Sequence, residues 1–170
     1  MAVRRILIAP HPLLKLKARP VERFDEELSR LLDDMLETMY RAPGIGLAAP
    51  QIGVSLRAVV VDLAKEGEPR APLRIVNPEI TWYSDELVTM EEGCLSLPEQ
   101  FAEVTRPRAV RLRYRDERGG EHELEAEGLL ARCLQHEVDH LDGILFVDRL
   151  SPLKRNIIMR KLAKARRARA

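Results

Sequence analysis

Residues 128–143 read "GLLARCLQHEVDHLDG". Leu129, Leu130, Cys133, Leu134, Val138 and Leu141 recur at helical spacing but spread around most of the circumference, and a helix of that kind is buried. Gly143 stands where a helix stop belongs. The same helix carries His136 and His140, four apart and so on one face, with Glu137 beside them, which is the HExxH pattern of a metal site.

Upstream, "FDEELSRLLDDMLETMYRA" (24–42) places Leu28, Leu31, Leu32, Met35, Leu36 and Met39 three and four apart, an amphipathic helix. Asp25 can cap it, Glu26 and Glu27 suit its first turn, and Pro43 and Gly44 end it. "GIGLAAPQIG" (44–53) reads as a loop or a close backbone approach, followed by a buried strand in "LRAVVVDL". "LRIVNPEI" (73–80) and "ELVTMEEGCLSLP" (86–98) are further strands bounded by Asn, Pro and Gly. In "AVRLRYRDERGGEHELEAEG" (109–128), Val110, Leu112 and Tyr114 alternate with arginines and "ERGG" supplies a hairpin turn. A last helix, about 152–168, offers Leu153, Ile157, Ile158 and Leu162 for burial. Strands in runs, flanked rather than alternated by helices, predict an α+β fold with antiparallel sheets, in a single domain over 1–170.

The 170 residues are 45% hydrophobic and 32% charged, a globular profile. No stretch approaches the roughly 20 apolar residues of a membrane span. Pro10 and Pro12 interrupt the only apolar run near the N-terminus, so the chain reads as cytoplasmic rather than exported. Two cysteines do not suggest a disulfide scaffold. Eight basic and no acidic side chains fall in 154–170, leaving 20 basic against 27 acidic side chains before them. A basic tail on an acidic body points to an anionic partner, against the alternative of a solvated terminal helix.

Two histidines need a third ligand. No Glu follows Glu137, and in "HEVDHLDGILF" (136–146) Phe146 stands where a third histidine would be. Asp142 lies on another side of the helix, and Asp148 stays open. Cys133 is seven residues from His140, about 10.5 Å along the axis at about 1.5 Å per residue, so three ligands from one straight helix fit a tetrahedral site poorly. Cys94, at a strand end beside Gly93, fits better, leaving Cys133 as a buried apolar residue. Three protein ligands leave a fourth position for water, the mark of a catalytic centre. Glu137 can take a proton from a water that the ion acidifies, and the side-chain amide of Gln51 and the backbone N–H of Leu95 can donate to an oxyanion. The chemistry predicted is hydrolysis of an amide or similar carbonyl. An HExxH endopeptidase and a non-catalytic module with a structural metal are the rival readings. The first lacks its downstream ligand, and the second leaves Glu137 and Gln51 without a purpose.

Together, "GIGLAAPQ" (44–51), "EGCLS" (92–96) and "QHEVDH" (135–140) resemble, in order and spacing, the three signature motifs of the peptide deformylases, and the likeness covers roughly residues 3–162. The resemblance implies an α+β fold with antiparallel sheets packed around the central buried helix that carries the metal motif, a single catalytic domain over 1–170, and removal of the formyl group from N-formylmethionyl nascent polypeptides. It implies a metal held by Cys94, His136 and His140, with Fe²⁺ as the working ion and Zn²⁺ or Ni²⁺ as substitutes. Glu137 would be the general base and acid, with Gln51 and the Leu95 amide on the oxyanion. It further implies that the peptide binds as an added strand through backbone at Ile45, Gly46 and Gly93. The methionine pocket would be lined by Ile45, Met90, Leu129 and Cys133, with Glu92 and Arg106 orienting a ligand histidine. An enzyme of nascent chains is expected at the ribosome, whose anionic surface the basic tail would meet. This chain departs from many members at "APHP" (9–12), at Arg132, where some have an apolar residue, and at Phe101, where some have arginine.

Overall fold

The computed structural model describes residues 2–169, without the side chain of Arg169. Helix α1, Glu26–Arg41, starts at Asp25, whose side chain accepts from the Leu28 N–H. It buries Leu28, Leu31, Leu32, Met35, Leu36 and Met39, each fully buried Leu or Met contributing about 1.5–3 kcal/mol.

Strands β1 (Gly46–Ala48), β2 (Ala58–Val61), β3 (Leu73–Tyr83), β6 (Ala109–Arg115) and β7 (Glu121–Glu127) form one antiparallel sheet in the order β1-β2-β3-β6-β7. β4 (Leu87–Cys94) and β5 (Leu97–Pro107) form a separate two-stranded sheet. The β6–β7 hairpin pairs Val110 with Ala126 and Leu112 with Leu124, following the alternation in its sequence. The glycine-rich stretch is more ordered than a loop: β1 joins the sheet edge, and Ala49–Ile52 form a 3-10 turn that buries Gln51. β5 is not foreshadowed by the sequence pattern.

Helix α2, Gly128–Leu141, is the predicted central helix. Ala131–Glu137 and Asp139–Leu141 are buried, while Leu129 in its first turn is half exposed. Gly143 stops it at φ 76°, and an added Cβ there would meet the Lys15 carbonyl oxygen at 2.4 Å, so a side chain is excluded twice over. Arg57 caps the far end, donating to the Leu141 carbonyl and pairing with Asp142 at 3.0 Å.

Helix α3, Pro152–Arg169, follows a 3-10 turn at Phe146–Arg149. Ile158 and Leu162 pack into a core cluster with Leu14, Leu97, Val104 and Phe146. Leu153, 71% exposed, and Ile157, 42% exposed, do not share that burial. Only one narrow face of this strongly basic helix meets the body, and those two residues lie off it. No helix among the described residues is long and apolar enough to cross a membrane.

Candidate metal centre and active site

α2 carries His136 and His140 on one face, with ring centroids 5.0 Å apart. The opposing candidate ligand comes from the β4–β5 hairpin. Cys94 pairs with Leu97 across the two-residue turn Leu95–Ser96, after a register shift at Gly93, so its side chain stands at the tip of the hairpin. Cys94 Sγ is 3.3 Å from His140 Nε2, and one ligand atom from each of Cys94, His136 and His140 lies within 4.8 Å of the others. A thiolate and an imidazole on one tetrahedral ion stand about 3.5 Å apart. The donor set, one sulfur and two nitrogens, suits a divalent transition metal. The Nδ1 of His136 is occupied at 3.0 Å by Glu92 Oε1, which leaves Nε2 for the ion.

The other third-ligand options fall away on geometry. Asp148 is taken up by Lys15, Arg155 and the Leu145 N–H. Asp142 pairs with Arg57. The Phe146 ring stacks 6.4 Å from that of His136. Cys133 is buried, with its Sγ 4.0 Å from the Ile45 carbonyl, outside the ligand group.

Glu137, 5% exposed, keeps Oε1 without a hydrogen-bond partner. Burial pushes its carboxyl up to about 7, against the pull of His136 and Arg106. Burial also holds His140 well below the usual imidazole range, with the nearby His136 and Arg106 adding to it. For His136 burial works the same way, but the bonds to Cys94 and Glu92 outweigh it and raise its pKa. The site therefore gathers two buried histidines with opposite pKa shifts, one of them fixed by a carboxylate, beside a carboxyl raised by burial. Gln51 is buried and aligned: its Oε1 accepts from the Ala48 N–H at 2.9 Å, turning Nε2 towards Ser96 Oγ at 3.1 Å and Cys94 Sγ at 3.6 Å.

Behind His136 lies a buried ionic chain. Arg106 grips Glu92 through Nε and Nη2 at 2.6 and 3.0 Å and reaches Asp139 through Nη1 at 2.9 Å. Arg149 grips Asp139 from outside. Burial would raise the Glu92 pKa, but the bond with His136 and then those with Arg106 outweigh it and hold it down to about 2. Glu92 and Arg106 are thus a buried pair rather than a surface one.

A cavity of about 740 Å³ opens onto this centre. Its lining includes Ile45, Gly46, Gln51, Glu92, Gly93, Cys94, Leu95, Leu129, Cys133, His136 and Glu137. Met90 is not brought to it: it pairs with Val104 along β4 and is 41% exposed, and the neighbouring wall is formed by Arg132, which bonds the Val88 and Val104 carbonyls. Phe101 stands at the lip, 62% exposed, over Gly93. Sequence reasoning quoted Ser96 only as the end of "EGCLS" and gave it no role, and it missed Asp139, Arg149 and the cavity-lining Ile6 and Ile8. Asp139 was legible only as a polar residue on α2, and Arg149, Ile6 and Ile8 carry no local signal.

The family model described as polypeptide deformylase matches residues 3–156. A peptide deformylase of Phenylobacterium zucineum is 57% identical over 168 residues, covering 99% of each chain. One from Brucella suis is 52% identical over 170 residues, covering 100% of this chain and 97% of the relative. The crystal structure of a peptide deformylase from Legionella pneumophila superposes with a TM-score of 0.92 at 49% identity, over 99% of this chain and 98% of that one. That of Ehrlichia chaffeensis in complex with actinonin gives 0.92 at 41% identity, over 97% and 98%.

Proposed function

The chain belongs to the polypeptide deformylase family, and from that membership we propose that it hydrolyses the N-formyl group of formylmethionine at the start of nascent polypeptides, releasing formate. The observation that carries the reading is the convergence of Cys94, His136 and His140 within 4.8 Å of one another beside an unpaired, buried Glu137 oxygen. Cys94, His136 and His140 would hold a divalent ion, which would supply Lewis acidity and a water acidic enough to serve as nucleophile at neutral pH. Fe²⁺ is the ion proposed for the working enzyme, with Zn²⁺ and Ni²⁺ able to replace it.

The chain's own groups do the rest. Glu137 accepts the proton of the attacking water and returns it to the departing amine nitrogen. Gln51 Nε2 and the Leu95 N–H donate to the oxygen of the tetrahedral intermediate. The peptide adds as a strand against the backbone at Ile45, Gly46 and Gly93. The Ile45 carbonyl is already used by the Asp62 N–H at 2.9 Å, which leaves the Ile45 N–H for the substrate. Leu129 and Cys133 wall the methionine side chain, and Met90 is not among the residues that line the cavity.

Glu137→Gln tests the assignment, with formate release from a formylmethionyl peptide and bound metal measured on the same oxygen-free preparation. Expected are retained metal and a rate down by about 10²–10⁴-fold. An undiminished rate would overturn the role of Glu137.

The basic helix is proposed to dock on ribosomal RNA. Lys154, Arg160, Lys161, Lys164, Arg166 and Arg167 are exposed, while the Arg169 side chain and Ala170 lie outside the described residues. Because Ile158 and Leu162 belong to the core, charge reversal is a cleaner test than deletion. Lys161→Glu/Lys164→Glu/Arg167→Glu should weaken ribosome binding and flatten its salt dependence without lowering peptide deformylation. Unchanged binding would sink the docking.

A further inference from the structure

Arg132 sits on α2 one turn before His136, in the wall of the cavity, and is 5% exposed. A guanidinium stays charged wherever it is placed, so burial demands partners. Nη1 donates to Glu92 Oε2 and to the Val104 carbonyl at 3.0 Å, and Nη2 donates to the Val88 carbonyl at 2.6 Å. Val88 is on β4 and Val104 on β5. One side chain therefore fastens both strands of the hairpin to the helix that carries the histidines. Glu92 is clamped between Arg132 and Arg106, and its Oε1 faces His136 Nδ1 at 3.0 Å. Arg106 ties Glu92 to Asp139 on α2. Of the two arginines, Arg132 is the one that binds Glu92 and the hairpin carbonyls together.

We propose that Arg132 is a positioning residue of the metal centre: it fixes Glu92 against His136 and holds the hairpin that presents Cys94 at a set distance from α2, aligning ligands on both sides of the site. The inference rests on Cys94, His136 and His140 being the ion's ligands. A lysine ammonium, with donors on one atom, cannot span Glu92 and two carbonyls on different strands. An unbranched apolar replacement keeps the volume and loses every bond.

The test compares Zn²⁺ affinity of the parent, Arg132→Met, Arg132→Lys, Glu92→Gln and Arg132→Met/Glu92→Gln, by competition with a chromophoric chelator. The urea midpoint and formate release are measured on the same proteins. Arg132→Met is expected to weaken Zn²⁺ binding about tenfold, the scale of a residue that orients a ligand, and Arg132→Lys by less. The double variant should lose less than the product of the single losses, because part of the Arg132 effect passes through Glu92. Should Arg132→Met fail to fold, Arg132→Lys carries the comparison. Parental Zn²⁺ affinity in the Arg132 variants with only a lowered urea midpoint would overturn the proposal, as would fully multiplicative losses. A parent that binds Zn²⁺ but releases no formate would overturn the proposed reaction and leave this inference standing.

Discussion

At Gly46 the absence of one methyl group shapes the site. A Cβ built there would lie 2.6 Å from Glu137 Oε2 and 3.0 Å from Cys133 Sγ. Neither neighbour can retreat easily: both are buried on α2, and the Gly46 backbone is held by its pairing with Val61. Gly46→Ala is therefore expected to fold, to lose about 1–3 kcal/mol to overpacking, and to release formate about 10²-fold more slowly, since displacing a catalytic group by about 1 Å costs that much. Circular dichroism, a urea titration and the formate assay check it. A parental rate would show that Glu137 has room to move. The sequence indicated close backbone approach in "GIGLAAPQ" but not which atoms approach. The glycine spacing is local, while Glu137 lies 91 residues further along the chain.

Legibility at the level of elements follows the same logic. α1 and the β6–β7 hairpin were readable because their apolar residues keep a single period, β2 because its apolar run is unbroken, and α2 from its apolar circumference and its motif. β5 was not, because its pattern runs against burial. Phe101 points out at 62% exposure, while Arg106 points in at 4%. Pairing with β4 and the buried ionic chain determine this strand, and neither leaves a mark in the local sequence. HExxH pointed to two candidate ligands and Cys94 was the best candidate third, but the Arg132–Glu92–Arg106–Asp139 chain behind them depends on contacts from β4, β5 and α2 together. Deleting one member of such a chain leaves buried charges short of partners. Arg106→Met is expected to cost about 3 kcal/mol, the low end for a broken buried pair because Glu92 keeps Arg132 and Asp139 keeps Arg149. A urea transition with a lower midpoint and an unchanged slope is the expected record. A loss under about 1 kcal/mol would mean that the chain's remaining bonds close over the gap.

Across the whole molecule, the N-terminal segment, the turn after α2 and helix α3 meet at Asp148. Lys15 bonds Oδ2 at 2.7 Å, Arg155 bonds Oδ1 at 2.9 Å and the Leu145 N–H bonds Oδ2 at 2.9 Å. Beneath them the cluster of Leu14, Phe146, Ile158 and Leu162 joins the same three segments. Burial would raise the Asp148 pKa, but those bonds outweigh it and hold the carboxyl below its ordinary 3.8. The sign follows: as pH falls, the unfolded chain takes up the Asp148 proton before the folded one, so protonation favours unfolding. The stabilisation is complete above the unfolded value and is lost as pH drops through it towards the lower folded pKa. Asp148→Asn should thus melt below the parent at pH 7, and the gap should narrow as pH falls below about 4. Glu92, Asp34, Asp62 and Asp116 also have lowered pKa values, but they are present in both proteins, so the difference between the two melting curves isolates Asp148. Parallel curves from pH 7 to pH 3 would show that its ion pairs do not help to hold α3 and the N-terminal segment to the body.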